Sequence, residues 1–180
     1  MFDRNLEKFK EVLTFKDLNS KKRRDALKSL NEMVCHQETT DQMLDYEILE
    51  HASNLLNDND WEVREQSALL IAAFTFSYRA RERFQCAFVS LRNLLEDPKL
   101  QVREAVAYCF HRLSVNAHGC SLIIESHAAV SMINSFIKHS KDQKCLVKEE
   151  GRYLTHLLQA FVNLTFSDEG IEPLLGVKAV

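Results

Sequence analysis

Asp58-Asn59-Asp60-Trp61-Glu62-Val63-Arg64-Glu65 recurs without a gap as Asp97-Pro98-Lys99-Leu100-Gln101-Val102-Arg103-Glu104. A weaker copy lies upstream, Asp17-Leu18-Asn19-Ser20-Lys21-Lys22-Arg23-Arg24. A fourth lies downstream, Asp142-Gln143-Lys144-Cys145-Leu146-Val147-Lys148-Glu149. The far ends of the copies align as well: Phe74-Thr75-Phe76-Ser77, Leu113-Ser114-Val115-Asn116 and Leu164-Thr165-Phe166-Ser167, with Met33-Val34-Cys35-His36 in the first. After each end comes a small residue or short polar loop, at Thr39, Ala80, Gly119 and Gly170. Self-similarity at a period near 40 residues is the mark of a stacked repeat, in which one unit cannot cover its own apolar face and neighbours bury it together.

Each copy has a helical period. Val102, Ala105, Val106, Cys109, Phe110 and Leu113 fall on one face of a helix, and Val63, Leu70, Ile71 and Phe74 repeat most of that face. Asp58 or Asp60, and Asp97, are placed to accept free backbone N–H groups at the helix start. Pro98 suits a first turn, where no donor is needed. A short helix is expected at 81–86 and 119–125, then a further one at 52–56, 89–95 and 130–137. The units run about 16–57, 58–96, 97–141 and 142–180, the last incomplete. Residues 1–15, with Phe2, Leu6, Phe9, Val12 and Leu13, read as an amphipathic capping helix. The segment 170–180 aligns with 119–129, so the chain stops where the last helix of its fourth unit is expected. A partner or further chain is then needed to cover that apolar end.

Composition agrees with helices. Four glycines and two prolines in 180 residues, against roughly 12% in average usage, leave little for the tight turns of a sandwich or barrel. A net charge of -3 disfavours a generic polyanion binder, so no nucleic-acid partner is expected. Charges break up the apolar residues of the first eight positions, and no stretch is long enough for a membrane span. Five cysteines without a C-x-x-C pair suggest reduced thiols and a cytoplasmic setting.

The recurring phrase, Leu-Leu-x-Asp running into Val-Arg-Glu and closing on Leu-Ser, resembles armadillo-type repeats over residues 16–180. The resemblance implies an all-α, right-handed armadillo/HEAT-like solenoid of about four helical repeats. Leu94-Leu95-Glu96-Asp97 through Ser114-Val115-Asn116-Ala117-His118-Gly119, with Ile124-Glu125-Ser126-His127, is similar to the radial-spoke armadillo-repeat proteins of cilia and flagella (radial spoke head protein 14 type). That similarity implies an axonemal scaffold whose partners are other radial-spoke subunits. A soluble armadillo-type transport or signalling adaptor is the alternative.

Lys21-Lys22-Arg23-Arg24 reads as a solvated first helical turn in preference to an anion patch. Cys109, His111, His118 and Cys120 have zinc-ligand chemistry. Cys109 and His111 nevertheless point about 200° apart on one helix, which argues against convergence. No Gly-rich loop, nucleophile elbow or H-E-x-x-H occurs, so no catalytic residue, metal or cofactor is expected.

Armadillo proteins that hold extended peptides present a Trp and, four residues on, an Asn toward a concave groove. Here the Asn places are Glu32, Ala73, Arg112 and Asn163, and the Trp places are Lys28, Leu69, Tyr108 and Gln159. Only Asn163 keeps the pattern. The candidate partner-binding surface is therefore Lys28, Glu32, Tyr108, Arg112, Gln159 and Asn163, a mixture in which Tyr and Arg are common anchors for protein contacts.

Overall fold

The computed structural model describes residues 2–15, 19–34, 37–141 and 148–166. The start of the fourth copy at 142–147, the segment 170–180, Asp17, Leu18, Cys35 and His36 lie outside the described residues. Eleven helices follow one another, with no strand among the described residues: α1 Phe2–Thr14, α2 Ser20–Met33, α3 Gln37–Asp45, α4 Ile48–Leu55, α5 Trp61–Phe74, α6 Tyr78–Arg81, α7 Gln85–Leu94, α8 Leu100–Leu113, α9 Ala117–Glu125, α10 Ala128–Ser140 and α11 Lys148–Thr165. From α2 to α10 each long helix is followed by two shorter ones, and the result is an all-α solenoid. The long helices α2, α5, α8 and α11 pack side by side in chain order, while α4, α7 and α10 back them. α1 lies against α2 and α4.

The core is the common apolar face of this stack. Leu27 and Leu30 of α2, Leu70, Ile71 and Phe74 of α5, Val106, Phe110 and Leu113 of α8, and Leu157 and Leu164 of α11 are all fully buried. Each such side chain contributes about 1.5–3 kcal/mol of transfer free energy. Phe84 and Phe88 carry the core across to α7, with Phe88 stacked on Phe110 at 6.5 Å between centroids.

Buried ion pairs tie one long helix to the next. Arg23 of α2 donates to Asp58 at 2.7 Å, and Arg64 of α5 donates to both carboxylate oxygens of Asp97, at 2.8 and 3.1 Å. The same aspartates hold the turns in front of α5 and α8. Asp58 accepts from Asp60 N–H at 2.9 Å and Asp97 from Lys99 N–H at 2.8 Å. The Val-Arg-Glu phrase thus carries a latch as well as a helix start. Arg64 also donates to the Asp58 carbonyl, and Arg103 to the Asp97 carbonyl, each at 2.8 Å.

Several local expectations are corrected. The short helix of the second unit is 78–81, with a turn before α7, because Ser77 caps it by accepting from Ala80 N–H. Its counterpart starts at Ala117 because Asn116 caps Gly119 N–H at 2.8 Å. Thr39, Ala80 and Gly119 all lie inside helices. Asp60, rather than Asp58, caps α5, while α8 has no side-chain cap and Pro98 sits in the turn before its first residue. In the basic run only Lys21 and Lys22 are solvated; Arg23 and Arg24 are half-buried against Asp58 and Glu62. A charge run predicts a wet surface only where no acidic helix lies across from it.

One glycine has a strict geometric reason. A Cβ on Gly119 would lie 1.8 Å from the Leu113 carbonyl oxygen, so the first turn of α9 comes this close to the end of α8 only without a side chain.

Candidate docking groove

The long helices leave two adjoining hollows between their exposed edges. One, of about 340 Å³, is lined by Asn31 and Val34 at the end of α2, by Gln66, Leu69, Ala73 and Phe76 from α5 and the residues after it, and by Tyr108 and Arg112 of α8. The next, of about 350 Å³, shares Leu69 and Tyr108 and adds Glu65, Gln101, Glu104, Arg152 and His156. Together they form a trough running across α2, α5, α8 and α11.

The two hollows differ in charge. Arg112 is the charged residue of the first. Its guanidinium lies over the Phe76 ring, 3.7 Å from the centroid, with the Tyr108 ring at 5.7 Å. The second holds two carboxylates. Arg152 reaches Glu104 at 3.2 Å, and burial raises the Glu65 carboxyl above its ordinary pKa despite the nearby Lys28. His156 stands edge-on to Tyr108 at 5.2 Å and stacks on His111 at 5.6 Å. Burial lowers the pKa of both imidazoles, and for His111 the neighbouring His156 lowers it further.

Of the six residues expected from the sequence, the trough brings together Tyr108 and Arg112. Lys28 and Glu32 are exposed on α2 outside its lining. Gln159 is exposed on α11 and hydrogen-bonds His156. Asn163 is half-buried and donates to Ser114 Oγ at 3.0 Å, beside a separate hollow of about 200 Å³ that includes Val115 and Phe166.

Sequence reasoning missed Phe76, which is 58% exposed. The third residue of the aligned ends is exposed and apolar in each described copy: Phe76, Val115 at 60% and Phe166 at 84%. The signal was present in the alignment. An apolar residue recurring two positions after the last core residue of a helix has no core left to enter.

The Cys/His constellation does not assemble. Cys109 is fully buried and its thiol is pushed up to about 12, Cys120 Sγ donates to the Ser114 carbonyl at 3.2 Å, and His118 packs on Tyr78 with Nε2 3.6 Å from Glu82. Among the described residues no three His, Cys, Asp or Glu side chains converge on one point as metal ligands. Nor is any single described helix long and apolar enough to cross a membrane.

Comparison with known proteins supports the armadillo/HEAT reading. The HEAT repeat family pattern matches residues 48–78. No curated protein matches. A crystal structure of an engineered protein superimposes with a TM-score of 0.79 at 18% identity, over 96% of this chain and 67% of that one. A designed armadillo repeat protein superimposes with a TM-score of 0.79 at 17% identity, over 95% and 69%. Another, in complex with the peptide (KR)4, gives 0.77 at 20%, over 97% and 70%. At these identities the likeness concerns the fold.

Proposed function

We propose that this chain is a non-catalytic protein–protein interaction scaffold, and that its setting is the axonemal radial spoke of cilia and flagella. The observation that carries the scaffold reading is the trough across α2, α5, α8 and α11, edged by exposed Phe76 and floored by Leu69 and Tyr108. Large apolar side chains kept in solvent beside an arginine are the composition of a docking surface. Leu158 and Val162, 47% and 54% exposed on α11, offer a partner a second apolar surface. The spoke assignment rests on the resemblance of residues 94–127 alone. Its test is affinity capture of the tagged chain from ciliated cells together with imaging. Recovery of spoke subunits and an axonemal signal are expected, whereas a purely nuclear or membrane location refutes the assignment.

A transport or signalling adaptor that grips a basic linear peptide is the second reading. It is favoured by the likeness to a designed protein in complex with (KR)4 and by Glu65 and Glu104 in the trough. Saturable (KR)4 binding that is lost on Glu65→Lys selects this reading; indifference of the isotherm to the substitution rejects it.

A further inference from the structure

We infer that the hollow between α5 and α8 takes an acidic segment of a protein partner, with one of its side-chain carboxylates held by Arg112 and a neighbouring apolar side chain laid on Phe76. The inference rests on the scaffold reading and names the chemistry of its partner.

The first argument is what the other arginines do. Every other arginine with a described side chain has a carboxylate or a carbonyl to hold. Arg23, Arg24, Arg64, Arg79, Arg83 and Arg152 reach carboxylates. Arg81, Arg92 and Arg103 reach backbone carbonyls. Among the described residues Arg112 has neither. Its contacts are the faces of Phe76 and Tyr108, and its Nε is buried without a hydrogen-bond partner. Stacking fixes the plane of a guanidinium, and with Nε buried it is the Nη1/Nη2 end that is left to grip a carboxylate with two parallel hydrogen bonds. Folding makes no use of that end.

The second argument is the shape and charge of the place. The hollow contains no carboxylate among its lining residues, so nothing within it competes for the guanidinium. Exposed Phe76, with Leu69 and Ala73, gives an apolar floor. A single monovalent cation matches a carboxylate. A phosphate dianion wants a second positive group, and the lining has none. The register follows as well. Beyond Tyr108 the trough holds Glu65 and Glu104, so an acidic residue is favoured over α5 and α8 near Arg112 and disfavoured toward α11. This polarity is opposite to that required for (KR)4.

The experiment is fluorescence anisotropy on the full chain with two labelled probes, an octapeptide carrying one Glu beside a Leu with neutral polar residues elsewhere, and (KR)4. The acidic probe should bind saturably and more tightly than (KR)4. Arg112→Glu should weaken it by about tenfold or more, since a charge-assisted bidentate contact is replaced by repulsion. Arg112→Lys, which keeps the charge and loses the planar edge, should fall between the two, and Phe76→Ala should also weaken binding. Circular dichroism checks that the variants fold, which is expected because Arg112 holds no structural ion pair. Tighter binding of (KR)4, no saturable binding of the acidic probe, or binding unchanged by Arg112→Glu each overturns the inference, even where spoke subunits still co-purify with the chain. Failure of the scaffold reading looks different: protein partners are lost while the acidic isotherm and its dependence on Arg112 persist.

Discussion

Tyr153 shows how one side chain can be governed by its surroundings. It is fully buried between α8 and α10, its hydroxyl 2.7 Å from Ser135 Oγ and donating to the Leu95 carbonyl at 3.4 Å. Burial pushes the phenol up to about 12, and Glu96 adds to the rise while Ser135 and Arg103 oppose it. The neutral form is the one the fold prefers. Its stabilising contribution is therefore complete below the ordinary tyrosine pKa near 10 and is lost as pH rises through about 12. An absorbance titration of tyrosinate should show two of the four tyrosines ionising above the ordinary range, exposed Tyr78, held up by Glu82, and buried Tyr153, with helical signal lost in the Tyr153 step. Tyr153→Phe should abolish that step at a cost of about 1 kcal/mol; a variant titrating identically to the parent would contradict it. The spacing of α11 marks Tyr153 as core, but no pattern reveals that its hydroxyl meets Ser135. The same limit hid Phe76, whose ring is explained only by an arginine 36 positions away in the chain.

At the scale of elements, the latch between α5 and α8 deserves measurement because both its side chains are nearly out of water. Arg64 keeps 13% of its side-chain exposure and Asp97 keeps 3%. Removing one partner of a buried pair leaves a charge without compensation, so Asp97→Ala should cost about 3–5 kcal/mol in urea unfolding. Part of that loss belongs to the turn, since Asp97 also accepts from Lys99 N–H. A double-mutant cycle with Arg64→Ala separates the two. A coupling below about 0.5 kcal/mol would put the pair with ordinary surface ion pairs. The residues of this latch were visible as a repeated Asp and Arg, whereas their pairing across units was not. A periodic pattern states that two residues occupy equivalent places, but not that one unit's Arg reaches the next unit's Asp. Helix ends suffered similarly: the caps at Ser77 and Asn116 compete with other polar residues nearby, and local geometry decided which side chain bonded which N–H.

For the whole molecule, a stack of this kind has stability that depends on neighbours. α5 and α8 are packed by long helices on both sides, while among the described residues α11 has one such neighbour and α1 packs on α2 and α4. Hydrogen exchange should accordingly find the slowest amides in α5 and α8 and faster ones in α1 and α11. Uniform protection across all four helices would mean a single closed core and would count against the stacked picture. The sequence by itself determined the helical class, the repeat and which face of each long helix is apolar, because these follow from spacing along one chain and from the need to bury the same face in every copy. It also supplied Tyr108 and Arg112 as candidates. Only the tertiary structure decided which of the candidates share a hollow, that Asn163 donates to Ser114, and that Arg112 stacks on Phe76 with no carboxylate among the described residues. Those outcomes depend on how one helix is rotated and shifted against the next, and that is set by the summed packing of many side chains, not by the period that any single helix carries.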